Sequence, residues 1–168
     1  MQLTTYEELQ SEIFTPITPE AVWTPLKKPV KDCVVGFASA CGVHLKTQIP
    51  YKTSGDRSWR TVPKDVLPDE LMITHGGYDH TDVNKDINCM WPYQRMQELE
   101  DEGFIKKFCD NNAGFMGGGG DVELLKEKIG PEIAEMFKEQ GTDIVLLTAG
   151  LGTCHRSAVT VQRAIEAA

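Results

Sequence analysis

The sequence lacks the features that place a chain in a membrane, on nucleic acid or in the secretory pathway. The longest apolar run near the C-terminus covers residues 144–147, far fewer than the ~20 that cross a bilayer. The opening MQLTTYEELQ has neither the basic nor the apolar segment of a secretory signal. Seventeen basic residues stand against 25 acidic ones, a net charge of −8 that does not fit a nucleic-acid-binding face. We therefore expect a cytoplasmic protein that neither spans a membrane nor binds nucleic acid.

Paired cysteines are also missing. The chain has five cysteines, an odd number, and no two have the C-x-x-C spacing. This argues against a disulfide framework and against a zinc ribbon, so we expect no bound metal. Most of the five are expected to be free thiols or small core residues. They occupy positions 33, 41, 89, 109 and 154.

Strand-like and helix-like patterns alternate along the chain. The predicted strands cover residues 32–38, 71–74, 104–109 and 142–148, and the predicted helices cover 5–13, 91–102, 122–129, 132–139 and 154–166. Trp91, Met96 and Leu99 have helical spacing and are expected in the core. This alternation predicts an α/β fold with a mostly parallel sheet flanked by helices, doubly wound and Rossmann- or flavodoxin-like.

Prolines suggest the domain organisation. Four prolines in the first thirty residues predict an extended N-terminal arm over residues 1–30, followed by a single α/β domain over 31–168.

The polar stretch 47–69 is too long for a structureless loop, so it is either functional or contains unrecognised structure. The last helix should lead to another strand. We therefore expect a chain truncated at the C-terminus, with an apolar edge left for a partner.

The best candidate nucleophile is Cys154. The segment TAGLGTCHRSAV runs from a buried strand through a glycine-flanked turn into a helix that begins near Thr153 or Cys154. A thiol in the first turn of a helix meets unpaired N–H groups and the positive end of the helix dipole, which favour the thiolate and lower its pKa from ~8.5. His155 and Arg156 could add positive charge. The alternative is that Cys154 only caps the helix and packs against it.

Two other loops carry candidate site residues. The loop HGGYDHTDVNKDIN offers His75 and Asp79 as acid/base or substrate-positioning groups, or simply as side chains that cap turns. The loop GFMGGGGD offers Gly117, Gly118 and Gly119, whose N–H groups could approach an anionic substrate, or it is only a flexible turn. Asp121 is placed to cap the helix that follows.

Two further arrangements remain open. Arg57 and Arg60 could hold a carboxylate, although surface arginines are common. Cys41, near His44, could face Cys154 across a cleft and exchange a proton with a substrate Cα, as in cofactor-independent amino-acid racemases. That hypothesis predicts two sulfurs separated by roughly the width of one amino acid.

Several motifs in the same order carry a family resemblance. LQSEIFTPITP, GVHLKTQ, HGGYDHTDVNKDINCM, GFIK, GFMGGGGD and LGTCHRSAV resemble the selenocysteine-containing B subunits of the glycine, sarcosine, betaine and D-proline reductases, and most closely the D-proline branch. In that family the last turn reads U-G-T-C, where U is selenocysteine; here it reads Leu151-Gly152-Thr153-Cys154. The resemblance implies that position 151 carries the catalytic nucleophile and that Cys154 is the resolving thiol.

The resemblance also implies an activity and partners. Members of the D-proline branch are oxidoreductases of amino-acid fermentation that open D-proline to 5-aminovalerate. A partner subunit carries a pyruvoyl group, a dithiol protein donates electrons, and the assembly is a hetero-oligomer. Family members also continue beyond the position of Ala168. This chain itself is expected to carry no cofactor apart from the family's selenocysteine.

Leu151 departs from the family pattern. A leucine side chain has no heteroatom, so it cannot attack carbon, and this form is expected to be inactive. Three explanations remain open: an engineered or misassigned UGA codon, one base from the leucine codon UUA; a natural paralogue that uses Cys154 alone; or a non-catalytic assembly subunit. The reductase hypothesis predicts residue 151 at the mouth of a pocket beside Cys154, and the assembly hypothesis predicts it in a partner interface.

Overall fold

The computed structural model describes residues 24–53, 55–119 and 121–168. Short 3-10 turns occur at Val30–Asp32, Pro68–Glu70 and Ile87–Cys89. The strands and helices in chain order are β1 (Val34–Ser39), β2 (Val43–Leu45), β3 (Trp59–Pro63), β4 (Leu71–Ile73), α1 (Tyr93–Asp101), β5 (Lys107–Phe108), β6 (Asn111–Phe115), α2 (Val122–Leu124), α3 (Gly130–Glu139), β7 (Ile144–Thr148) and α4 (Gly152–Ala167). The protein is therefore a mixed α/β structure.

The main sheet is built around β1. Strand β7 pairs with β1 in parallel on one side, and β5 and β6 pair with it in parallel on the other. Strand β3 pairs antiparallel with β6 at the outer edge. The predicted parallel strands are confirmed for β1, β5 and β7, but β6 and the antiparallel β3 were not predicted. Strand β3 lies inside the stretch 47–69, which therefore contains a strand that the sequence pattern did not indicate.

A buried asparagine supports the join between β5 and β6. Val35 pairs with Phe108 but Ala38 pairs with Ala113, so the register shifts between the two strands. Here the Asn112 side chain takes the place of strand partners, accepting from the Phe37 N–H (2.8 Å) and donating to the Cys109 carbonyl (3.0 Å). Buried backbone groups need such partners, so Asn112 keeps the sheet continuous across the interruption.

The predicted strand over 71–74 exists, but its predicted place in the parallel sheet is wrong. As β4 it pairs antiparallel with β2 in a separate two-stranded sheet. The turn at Gly42 makes this possible: its φ is +79°, and a Cβ there would lie 2.2 Å from the Thr74 carbonyl oxygen. The Thr74 N–H in turn donates to the Gly42 carbonyl (3.0 Å). The chain thus leaves the main sheet directly after β1.

Side chains alternate between the two faces of β1, and each face has its own core. The first core cluster joins β1 to α1 and includes Val35, Phe37, Trp91, Tyr93 and Met96. The second joins β1 to α3 and α4 and includes Ala38, Ile133, Phe137, Cys154 and Val161. Helices thus cover both faces. The prediction that Trp91 and Met96 are core residues is confirmed, and Leu99 packs partly buried against the same cluster.

The predicted helix break at Gly130–Pro131 does not occur. Helix α2 continues through a π-helical turn, Leu125–Ile129, directly into α3. Pro131 is the second residue of α3, directly after this π-helical turn. The helix predicted over 5–13 and most of the predicted arm lie outside the described residues. Within the part of the chain that the structure describes, no helix combines the length and apolar character needed to cross a bilayer.

Candidate thiol site at the start of the last helix

The candidate site lies where the carboxyl ends of β1, β6 and β7 meet, as predicted for a sheet of this kind. Backbone hydrogen bonds tie the loops after these strands together. The Ala40 N–H donates to the Thr148 carbonyl (3.0 Å), and the Gly117 N–H donates to the Ala40 carbonyl (3.1 Å). Three separate stretches of chain therefore form one rigid edge beside the start of α4.

Cys154 lies in the first turn of α4, as predicted. The helix begins at Gly152, and Leu151, in extended conformation, is its N-cap residue. Cys154 has no exposed surface and belongs to the core between the sheet and α4. The thiol is thus both at a helix start and sealed from solvent.

A buried histidine contacts the Cys154 sulfur. The Nε2 atom of His75 lies 3.1 Å from the Cys154 Sγ, and His75 itself is 6% exposed. On the other side of the ring, the Gly77 N–H donates to Nδ1 (3.0 Å). Burial, and secondarily the nearby His80, lowers the pKa of His75, so the ring is neutral at pH 7. Because Nδ1 accepts a hydrogen bond, the single ring proton belongs on Nε2, which donates to the sulfur.

The predicted fall in the pKa of Cys154 is wrong. Burial raises the pKa of this thiol above its usual value, and it outweighs the backbone N–H groups of Leu151 and Gly150, which act in the opposite direction. The helix start can be recognised in the sequence, but the burial that desolvates the thiol cannot. At neutral pH Cys154 is therefore a buried thiol, with hydrogen-bond donors directed at its sulfur.

The glycine loop packs against this thiol. A Cβ on Gly117 would lie 2.7 Å from the Cys154 Cβ and 2.8 Å from the Ala40 Cβ, so only glycine fits there. The Ser157 hydroxyl donates to the Gly117 carbonyl (2.8 Å) and fixes the loop to α4. A Cβ on Gly118 would lie 3.3 Å from the His75 Cε1, and Gly119 has a positive φ of 65°. Close packing accounts for Gly117, while anion binding by the three glycines stays a prediction.

Residue 151 lies against the turn that carries His75. Leu151 is half-buried, and a Cβ on Gly77 would come within 2.4 Å of its Cδ2 atom. His155 is exposed, and its Nδ1 lies 2.8 Å from the Leu151 carbonyl, a bond within the helix start. The imidazole of His155 is therefore engaged with the backbone at residue 151. Its predicted catalytic role stays a prediction.

Tyr78 also belongs to the site, although the sequence pattern did not indicate it. Its ring centroid lies 4.7 Å from that of His75, and its hydroxyl donates to the Cys41 carbonyl (2.7 Å). A Cβ on Gly150 would lie 2.7 Å from the tyrosine Cε1. The only sequence signal was its position in HGGYDH, three residues after His75. Nothing local could indicate that its hydroxyl reaches the end of β1.

Asp79 does not join this cluster. It is exposed, and its Oδ1 accepts from the Thr81 hydroxyl (2.6 Å) and the Thr81 N–H (2.9 Å). The hydroxyl bond, with the N–H bond, lowers the pKa of this carboxyl. These contacts match the turn-capping alternative, and the structure provides no contact between Asp79 and the thiol. Asp121 caps α2 as predicted, accepting from the Leu124 N–H (3.2 Å).

The two arginines have other partners. The Arg60 guanidinium lies over the Tyr51 ring, 4.7 Å from its centroid, and its Nε and Nη2 donate to the Ile49 carbonyl. Arg57 forms an exposed ion pair with Asp121 (3.5 Å). Neither contact matches a preformed carboxylate clamp. Among the described residues, no group of three or more His, Cys, Asp or Glu side chains is arranged to hold a metal ion.

The arrangement around Cys41 does not match a racemase cleft. Cys41 is as fully buried as Cys154, and burial raises the pKa of its thiol to about 11. The neighbouring His44 is held between the Leu45 carbonyl and the Thr74 hydroxyl. Two sealed thiols cannot exchange protons with a substrate that enters from solvent. All five cysteines are free.

Together these features define an α/β protein with a thiol–imidazole pair at a strand–turn–helix edge. The model of the glycine/sarcosine/betaine reductase selenoprotein B family matches residues 60–150, and the chain belongs to this family.

Curated relatives agree with this assignment. The chain is 56% identical over 164 residues to the D-proline reductase subunit gamma of Acetoanaerobium sticklandii, covering 98% of this chain and 68% of that protein. It is 36% identical over 105 residues to the glycine reductase complex component B subunit gamma of Carboxydothermus hydrogenoformans, covering 62% of this chain and 24% of the relative. A third relative, the betaine reductase complex component B subunit beta of Peptoclostridium acidaminophilum, is 31% identical over 171 residues, covering 96% of this chain and 38% of the relative. No solved structure matches the chain.

Proposed function

We propose that this chain is a subunit of a D-proline reductase and takes part in the reductive opening of D-proline to 5-aminovalerate. The observation that carries the proposal is the 56% identity to D-proline reductase subunit gamma over 98% of the chain. The partner would be a pyruvoyl-containing subunit, and a dithiol protein would supply electrons. We place the assembly in the cytoplasm.

The reaction balances as a two-electron reduction. The bond between Cα and the ring nitrogen breaks, one hydrogen is added to Cα and one to the nitrogen, and a dithiol is oxidised to a disulfide. Cleavage at a saturated carbon requires a soft nucleophile that is ionised at neutral pH, which is the chemistry that a selenocysteine at position 151 supplies. The pyruvoyl carbonyl on the partner would engage the ring nitrogen.

The surroundings of residue 151 fit a selenocysteine. The residue is the N-cap of α4, beside the positive end of the helix dipole, which favours an anion. Gly77 has no side chain on the face that meets residue 151, and Cys154 follows three residues later in the same helical turn. Cys154 would act as the resolving thiol. Leucine at 151 has no lone pair, so we propose that the Leu151 form does not turn over.

The test is a substitution series at position 151 in the assembled complex with its pyruvoyl partner. The measurement is 5-aminovalerate formed from D-proline with dithiothreitol as reductant. We expect no product from the parent chain or from the matched control Leu151→Ser, clear turnover from Leu151→Sec, and slower turnover from Leu151→Cys. In the selenocysteine form, Cys154→Ser removes the resolving thiol. This double variant should complete about one turnover and then stop. Turnover by the parent chain, or none by an assembled selenocysteine complex, would contradict the proposal.

A non-catalytic assembly subunit is the second candidate, and Leu151 itself favours it. In this case the chain should stabilise the pyruvoyl-bearing partner without supplying the nucleophile. Co-purification and the thermal stability of the partner, measured with and without this chain, would detect that role. The catalytic proposal predicts a gain of activity on Leu151→Sec, and the assembly proposal predicts none.

The architecture supports a related structural proposal. Parallel strands with helices on both faces are typical of doubly wound, Rossmann- or flavodoxin-like folds. We propose that residues 31–168 form one such unit. The half-exposed edge strand β7, with Leu146 45% exposed, is then the side on which such a sheet would extend.

A further inference from the structure

We propose that His75 is a positioning residue that acts through Cys154: it holds an Nε2–H group on the sulfur as a hydrogen-bond donor and does not serve as the base that removes the thiol proton. The geometry of both ring nitrogens carries this inference. It concerns how one buried sulfur ionises, so it does not depend on which amino acid the assembly reduces. Only the use of that sulfur in resolution rests on the proposed function.

The tautomer follows from the backbone. The Gly77 N–H donates to the His75 Nδ1 at 3.0 Å, and an N–H cannot donate to a nitrogen that also carries a proton. The neutral ring therefore carries its proton on Nε2, which lies 3.1 Å from the Cys154 Sγ. The lone pair that a general base needs points toward the Gly77 amide and away from the sulfur.

The ring is also fixed in place. Tyr78 packs on the imidazole with 4.7 Å between ring centroids, and its hydroxyl is anchored on the Cys41 carbonyl (2.7 Å). On another side Gly118 packs closely, because a Cβ there would lie 3.3 Å from the His75 Cε1, tighter than most such contacts. Rotation of the ring would break the contact with Gly77 and disturb this packing, so the donor stays on the sulfur.

The donor matters because the sulfur is sealed. A buried thiolate loses its hydration, so it forms only where hydrogen-bond donors replace water. The backbone N–H groups of Gly150 and Leu151 act on Cys154 from the start of α4, and His75 Nε2–H adds a donor from the loop after β4. When Cys154 leaves as a thiolate during reduction of a bond to residue 151, the same donors would stabilise it.

The first measurement needs no variant. Imidazole ¹⁵N NMR of the uniformly labelled chain at pH 7 distinguishes the two neutral tautomers and the charged ring. We expect the proton on Nε2 of His75, with Nδ1 unprotonated. A proton on Nδ1, or a charged ring at pH 7, would overturn the proposal.

The second measurement separates donation from packing. Glutamine can place an N–H donor where Nε2 lies but does not titrate, whereas leucine fills space without a donor. In chains labelled with [3-¹³C]cysteine, pH titration of the Cβ signals gives each thiol pKa without a reagent that must enter the core. We expect His75→Leu to raise the pKa of Cys154 by about one unit or more, the usual value of a hydrogen bond to a charged group, and His75→Gln to leave it nearly unchanged.

The control is Cys109, whose sulfur contacts a different side chain, the Thr142 hydroxyl at 3.0 Å. The Cys109 titration should be the same in the parent, His75→Leu and His75→Gln. An unchanged chemical shift of its Cβ signal shows that the variants fold. Equal Cys154 shifts in His75→Leu and His75→Gln, or no shift in either, would refute the proposal. Neither measurement needs a partner or turnover, so this inference and the proposed function can fail independently.

Discussion

Two buried histidines at the β2–β4 sheet are used in opposite ways. His44, in β2, is fully buried; its Nδ1 lies 2.7 Å from the Leu45 carbonyl and its Nε2 lies 2.8 Å from the Thr74 hydroxyl. A carbonyl only accepts, so His44 carries its proton on Nδ1. His75, just after β4, carries its proton on Nε2, because the Gly77 amide occupies Nδ1.

The difference shows that the neighbours, and not the residue type, decide the role of a histidine. Both partners of His44 are groups that do not ionise in the physiological pH range, and their contacts with the ring hold β2 to Thr74 after β4. One partner of His75 is a thiol, so the protonation states of the two groups are linked. His44 is the more deeply buried of the two. His75 lies beside the exposed residues Gly76 and Gly77.

The largest expected effect is a difference in stability between leucine substitutions of the two histidines. His44→Leu leaves the partly buried Thr74 hydroxyl and Leu45 carbonyl without their partner and should lower the free energy of unfolding by about 3 kcal/mol. His75→Leu should lower it by only about 1 kcal/mol, because water can reach the Gly77 amide and the sulfur is a weak acceptor. Urea denaturation of the two variants measures both values. Equal losses, or the reverse order, would remove the distinction between a structural and a functional histidine.

A smaller effect tests how tightly the glycine loop holds the thiol beside His75. Gly117→Ala places a Cβ 2.8 Å from the Cys154 Cα, which is backbone that cannot rotate away. We expect α4 to shift and the free energy of unfolding to fall by about 2 kcal/mol, the usual effect of overpacking. Gly152→Ala is the matched control, because nothing lies within 4 Å of its Cβ position, and it should be neutral or slightly stabilising. A neutral Gly117→Ala variant would show that the loop does not hold the thiol.

The smallest effect is a pH dependence that His75 should confer. Burial lowers its folded-state pKa below the ordinary 6.5, so below that pH the unfolded chain takes up a proton that the folded chain resists. The free energy of unfolding should therefore be fully maintained above pH 6.5 and fall as the pH drops through 6.5 toward the folded-state pKa. Denaturation at pH 7.5, 6.5 and 5.5 measures the fall, and His75→Gln, which cannot titrate, should reduce it. A parent and variant with the same slope would exclude His75 as its source.

Parts of the fold that depend on local pattern were predicted well. The β-branched and leucine-rich runs at β1 and β7 and the helix after the glycine turn are confirmed to within a few residues. Strand β6, NNAGF, was missed because its residues have little strand character. Strand β3, WRTVP, was missed because it is a short run ending in proline inside a polar stretch. Pairing with each other stabilises both strands. At Gly130–Pro131 the local pattern predicts a helix break, but the chain continues from a π-helical turn directly into α3.

The candidate site divides in the same way. Position 151, the helix start at Cys154 and the convergence of loops at the carboxyl ends of strands were predicted from sequence. The contact of His75 with a sulfur 79 residues away and the reach of Tyr78 to Cys41 were not. The direction of the Cys154 pKa was predicted wrongly, because a helix start can be recognised locally but burial cannot.

The sequence by itself determined the family, the order of the main strands and helices, and the position of a thiol at the first turn of the last helix, because each of these is written in short local patterns. Only the tertiary structure decided which histidine meets that thiol, which ring nitrogen carries the proton and how far burial opposes ionisation. Those properties depend on atoms brought together from distant parts of the chain, and on the exclusion of water that their packing causes.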